Sequence, residues 1–82
     1  MAGTELANNI RRLRFEHNEM TQQELAERAG CTRQTIIAIE HGRYAPSLEL
    51  AFRIARAFGR RVEEVFFHPD EEPAGSGTED TA

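Results

Sequence analysis

The stretch "TQQELAERAGCTRQTIIAIEHG", Thr21 to Gly42, decides how the chain folds. Thr21 and Glu24 have the spacing of a capping box, in which each side chain satisfies a free N–H at a helix start. Leu25, Ala26 and Ala29 then repeat at helical spacing until Gly30 stops the run. Thr32 can cap a second helix, which Gly42 ends. Gly30 sits in the turn between them, where a positive φ carries no steric cost. Ala26 is small where the two helices must approach, and Cys31, Ile36 and Ile39 point inward from the second.

Working outward, the same punctuation predicts three more short helices. Thr4 can cap a first one that carries Leu6, Ile10 and Leu13 on one face and runs to about His17. Pro46 and Ser47 begin the fourth, "SLELAFRIARAF", and Gly59 ends it. A fifth, "VEEVFF", follows Arg61 and is closed by Pro69. No β-hairpin signal is present, so the expected class is all-α, five short helices. Leu6, Ile10 and Leu13 should meet Leu25, Ala29, Ile36 and Ile39. Helix four offers Leu48, Phe52, Ala55 and Phe58 as its inner stripe, with Val62, Val65 and Phe66 closing the base. Leu50, Ile54 and Ala57 form a second stripe, readable as partial burial or as a dimer contact.

Composition bounds the function. The 82 residues suit one small domain. A single cysteine, Cys31, excludes a disulfide framework and suits a reducing compartment. The start, "MAGTELANNIRR", lacks a signal peptide's apolar run, and nothing approaches the roughly twenty apolar residues of a membrane span. The reading is a soluble, cytoplasmic protein. The net charge of −4 hides an uneven distribution. All ten basic residues are arginines lying between Arg11 and Arg61, and they outnumber the nine acids found up to His68. The other five acids, Asp70, Glu71, Glu72, Glu79 and Asp80, sit in "PDEEPAGSGTEDTA". That segment has no large apolar residue and reads as a disordered acidic tail, residues 69–82, after a domain at residues 1–68.

On a wheel of about 100° per residue, Thr35, Ile36 and Ile39 share one side of the third helix. Arg33, Gln34, Ile37 and His41 share the other, with Ala38 at its edge. Two helices joined by such a turn form a helix-turn-helix arrangement. Arginine can fork onto guanine and glutamine onto adenine in the major groove, and Ile37 can touch a thymine methyl. An ordinary amphipathic helix with a polar outer face is the competing explanation.

The stretch from Ile10 to Phe66 resembles the Cro-and-repressor (lambda-repressor-like) helix-turn-helix domain of small bacterial regulators. The resemblance covers about two thirds of the chain, and the matching segments within it are "TQQELAERAG", "TRQTI", "IEHGRYAPSLELAFRIARAFG" and "VEEVF". The resemblance implies that the third helix, from Arg33 on, reads bases, with Arg33, Gln34, Ile37, Ala38 and His41 as its contacts. It also implies that Gln22 holds a phosphate and that the Gly42-Arg43-Tyr44 loop runs beside the DNA backbone. A helix first turn suits a phosphate at Gln22 independently. Thr32 can cap its helix or touch a phosphate, and Arg11 and Arg12 can reach phosphates or stay solvated. Arg53, Arg56, Arg60 and Arg61 read as solvated or as partners of Glu49, Glu63 or Glu64. Glu40 is unfavourable near a helix C-terminus and needs a partner; the resemblance implies Arg14. In one departure, "FEHNEM" is a residue longer than the family's spacing.

Cys31 stands where the family has a small apolar residue, which favours packing over redox sensing. His17, His41 and His68 lie apart from any ligand or triad spacing, so neither an enzyme nor a metal site is expected, and no cofactor. The reading is therefore a transcriptional regulator, a repressor or autoregulator, binding double-stranded DNA as a homodimer. The alternative is a protein-binding module, an antitoxin or adaptor, engaging its partner through the tail or helices four and five.

Overall fold

The computed structural model describes residues 5–70. Thr4 and residues 71–82, and with them the proposed cap and most of the acidic tail, lie outside the described residues. Five helices are present: α1 (Ile10–Glu16), α2 (Gln22–Ala29), α3 (Arg33–Glu40), α4 (Leu48–Ala57) and α5 (Val62–Val65). Two short strands, β1 (Ala7–Asn8) and β2 (Phe66–Phe67), pair antiparallel, with Ala7 opposite Phe67 and Asn8 opposite Phe66.

Those strands correct two expectations. The first helix does not begin near Thr4 but at Ile10, because Ala7 and Asn8 are spent on the sheet. Asn8 Oδ1 accepts the Ile10 N–H at 3.0 Å, and Asn9 N–H donates to Val65 O at 2.9 Å. Asparagines favour such side-chain and cap bonds over helix interiors. At the other end, "FF" does not continue the fifth helix. The aromatic pair takes extended backbone, where such side chains fit a pleated surface.

The remaining helix boundaries follow local hydrogen bonding. Thr21 and Glu24 form the reciprocal capping box, with bonds of 2.9 Å each way. Ser47 caps α4 by accepting the Leu50 N–H at 3.1 Å. The α4 end closes with Gly59 at φ 66°, where the Arg60 N–H reaches back to Ala55 O at 2.9 Å.

Ile10, Leu13, Leu25, Ala26, Ala29, Ile36, Ile39 and Val65 fill the core, joined by Met20 from the α1–α2 turn. The α4 face differs from expectation. Ala51, Ile54, Ala55 and Phe58 are buried, while Leu50 and Ala57 pack partly against them. Leu48 and Phe52 instead stand 70% and 54% exposed. So the stripe suggested as a dimer contact, Leu50, Ile54 and Ala57, turns inward, and half of the supposed inner stripe turns out. Small Ala51 and Ala55, one turn apart, are buried on the inward face and let α4 sit close on the core, where it packs against α2 and α5. His17 ties two helix ends together: Nδ1 lies 2.9 Å from Leu13 O and Nε2 3.1 Å from Phe58 O.

Candidate nucleic-acid interface

The α2–α3 pair is built as its residues dictate. Gly30 takes the left-handed conformation at φ 75° and ψ 37°, and Cys31 N–H donates to Ala26 O at 2.9 Å. This turns the chain sharply into Thr32. The Thr32 hydroxyl accepts the Thr35 N–H at 3.1 Å and lies 2.9 Å from the Thr35 hydroxyl, which caps the helix and leaves one of its three hydrogen-bonding sites open. At the far end Gly42, at φ 73°, donates to Ile39 O at 3.0 Å, and Arg43 N–H donates to Ala38 O at 2.9 Å. That double closure launches the Arg43-Tyr44 loop from the end of α3. Asn8 adds a tie from outside the motif, its Nδ2 donating to Ile39 O at 3.0 Å.

A largely buried ion pair supports α3 from beneath. Arg14 Nε donates to Glu40 Oε2 at 2.6 Å and Nη2 to Oε1 at 3.3 Å. The third Arg14 nitrogen, Nη1, donates to Met20 O at 2.9 Å. Only 5% of the Glu40 side chain and 17% of the Arg14 side chain are exposed. Gln22 completes the group, donating from Nε2 to Glu40 Oε1 at 3.3 Å. The carboxylate at the unfavourable end of α3 is thereby compensated, and α1, α2 and α3 are locked together by one cluster.

Around this cluster runs a shallow groove. Arg11 from α1, Gln22 and Gln23 from the start of α2, and Arg33 and His41 from the two ends of α3 all line it. Gln34 is exposed on α3, and Ile37 and Ala38 are half-buried on the same helix. Arg43 and Tyr44 are exposed on the loop beyond it, outside the groove lining. Arg12 is also outside, in an exposed pair with Glu16 at 3.6 Å. Arg11, Arg33 and Arg43 have no carboxylate partner among the described residues, so their charge is available to a ligand. Of the more distant arginines, Arg53 pairs with Glu49 at 2.8 Å and Arg61 reaches Glu63 at 4.0 Å.

Among the groove residues that escaped the sequence reading are Gln23 and Glu19. Gln23 is exposed beside Gln22 and donates to Glu27 Oε2 at 3.1 Å. Glu19 brings a negative charge to the groove lip from a turn in which both Asn18 and Glu19 have positive φ, 59° and 54°. The "QQ" doublet signalled the first, while for the second the only signal was Asn18, a residue type that tolerates positive φ. Cys31 is half-buried against the core, and burial pushes its thiol pKa up, which suits packing and works against a reactive thiolate.

The helix-turn-helix family pattern matches residues 10–65, spanning all five helices. The chain belongs to the Cro/C1-type helix-turn-helix family. Among relatives of this helix-turn-helix family, an uncharacterized HTH-type transcriptional regulator of Methanothermobacter thermautotrophicus is 59% identical over 68 residues, covering 79% of this chain and 99% of its own length. One of Methanocaldococcus jannaschii is 49% identical over 67 residues, covering 82% of this chain and 100% of its own. The Bacillus subtilis regulator YgzD is 42% identical over 66 residues, covering 80% and 98%. The likeness thus spans archaea as well as bacteria, wider than the bacterial setting expected from the motif. No helix among the described residues is long and apolar enough to cross a membrane.

Proposed function

We propose that this chain is a sequence-specific DNA-binding transcriptional regulator, a repressor or autoregulator that works in the cytoplasm by binding and without catalysis. The observation that carries this is the groove in which Arg11, Gln22, Arg33 and His41 converge while Glu40 is neutralised from behind by Arg14. Regulators of transcription are also what the relatives are named. Arg33 and Gln34, at the exposed start of α3, read guanine and adenine edges; Ile37 and Ala38 meet thymine methyls, and His41 touches the base beyond. Gln22 uses its second amide N–H on a phosphate, assisted by the free N–H groups of the α2 first turn. Arg11, Arg43 and Tyr44 contact flanking phosphates. Thr32, while capping α3, and Arg12, from its exposed place on α1, add further phosphate contacts. Two copies bind a pseudo-palindromic site, with half-sites roughly one helical turn apart.

The test is selection from a random duplex library, followed by titration of the winning site at several salt concentrations. A split, symmetric motif with a steep salt slope is expected. Arg33→Ala should relax preference at one position per half-site, and Arg43→Ala should weaken all sequences alike, lowering the salt slope by about one. No enrichment, or an unchanged preference in Arg33→Ala, refutes the assignment.

A further inference from the structure

The outer face of α4 has no partner within the described residues. Leu48 and Phe52, one turn apart, are two of only four large apolar side chains exposed among those residues, with Phe15 and Tyr44. They line a shallow groove with Glu49, Arg53 and Arg56. We propose that this face docks a second copy of the chain, α4 packing antiparallel on its own counterpart about a two-fold axis at Phe52. The inference rests on the paired half-site reading above and names the surface that joins the two readers.

The position of each residue argues for that occupant. Phe52 stands midway between Leu48 and Arg56, so an antiparallel pairing centred there sets Phe52 against Phe52 of the second copy. It also lays each Leu48 beside the aliphatic stem of the other Arg56, which covers apolar surface while its charge stays wet. The charges sort in the same register. Glu49 is at the N-terminal turn of α4, and Arg56, without a carboxylate partner among the described residues, is at the last turn. Antiparallel contact brings Glu49 of each copy to Arg56 of the other, twice, as an isologous interface requires. Parallel contact would set like against like. Residues 71–82, "EEPAGSGTEDTA", contain no large apolar side chain to fill the groove, which argues against the tail as its occupant. One helix face is smaller than the roughly 800 Å² per partner of a standard interface, so the free dimer is weak and the shared duplex strengthens it.

Sedimentation equilibrium of the full chain, from micromolar to millimolar concentration, tests this without DNA. A monomer–dimer equilibrium is expected. Phe52→Glu should weaken it more than about a hundredfold, since the lost contact counts once from each side of the axis. Its thermal melt should stay near wild type, because Phe52 is already half in water. Glu49→Arg should weaken association about tenfold by facing Arg56 of the second copy, and adding Arg56→Glu should restore it. A wild type that stays monomeric to millimolar concentration, a dimer indifferent to Phe52→Glu, or a charge swap that fails to restore association overturns the proposal. An intact dimer in Phe52→Glu alongside normal duplex selection would sink the interface and leave the DNA reading standing. A Phe52-dependent dimer that selects no duplex would do the reverse.

Discussion

Replacing Arg14 by methionine should be the most damaging single change around the α2–α3 groove, although Arg14 is no proposed DNA contact. The methionine keeps the apolar stem but removes three hydrogen bonds, two to Glu40 and one to Met20 O. Glu40, with 5% of its side chain exposed, then keeps only the Gln22 amide at 3.3 Å. Removing one member of a buried pair typically costs 3–5 kcal/mol because the other is left charged and unmatched; the remaining Gln22 bond places this case near the lower end, about 3 kcal/mol. In a domain of this size each kcal/mol lowers the melting temperature by about 4–8 °C, so a fall of about 12–24 °C is expected. Far-UV circular dichroism melts, with urea titration alongside, measure it. The double variant Arg14→Met, Glu40→Leu removes both charges and should recover more than half of the loss. A drop below about 4 °C in the single variant, or a double variant no more stable than the single, would show that the cluster does not hold the motif together.

Gly30→Ala places a Cβ at φ 75°, where a non-glycine residue costs about 1–2 kcal/mol, and urea unfolding should register that loss. The new Cβ would also meet Arg53 Nη1 at 3.3 Å, but that flexible end can move, so backbone strain dominates. Because burial raises the Cys31 thiol pKa, the thiolate is scarcer than in a free cysteine at any pH below that value. Alkylation of the native protein should lag a cysteine peptide and quicken as pH rises; a rate at or above the peptide's refutes the packing role. Removing residues 69–82 takes away five acids and no base, so affinity for random duplex at low salt should rise. Equal affinity before and after truncation rules out repulsion by the tail.

What could be read from the sequence was whatever a few neighbouring residues decide among themselves. The Thr21–Glu24 box, the Thr32 and Ser47 caps and the stops at Gly30, Gly42 and Gly59 are local bargains between side chains and nearby N–H groups. The outward groups of α3 followed from the same periodicity that buried Ile36 and Ile39. Pairings across many residues were not legible. Phe66–Phe67 reads as a helix end until Ala7–Asn8 is beside it, and the "NN" before Ile10 hinted at that only weakly. On α4 the wheel offered two apolar stripes, and bulk favoured the one with Phe52. Close packing of Ala51 and Ala55 into the core chose the other. Arg14 as the partner of Glu40 came from family resemblance, since charge alone demanded a cation without naming one. Glu19 reached the groove through a left-handed turn that Asn18 alone hinted at, since asparagine tolerates positive φ while glutamate does not advertise it.

The small sheet sets an order of events during synthesis. Asn8 is made early, yet it is positioned by pairing with Phe66 while its amide grips the end of α3 at Ile39 O. Asn9 likewise waits for Glu64 and Val65, whose carbonyls it engages at 3.1 and 2.9 Å. At about 5–20 residues per second the ribosome delivers α3 seconds before these partners leave the exit tunnel. A nascent chain holding the whole recognition motif therefore still lacks the clasp that seats it. The motif is seated only once the segment after α5 has arrived, and a chain cut short before Phe66 would carry the motif without its final alignment.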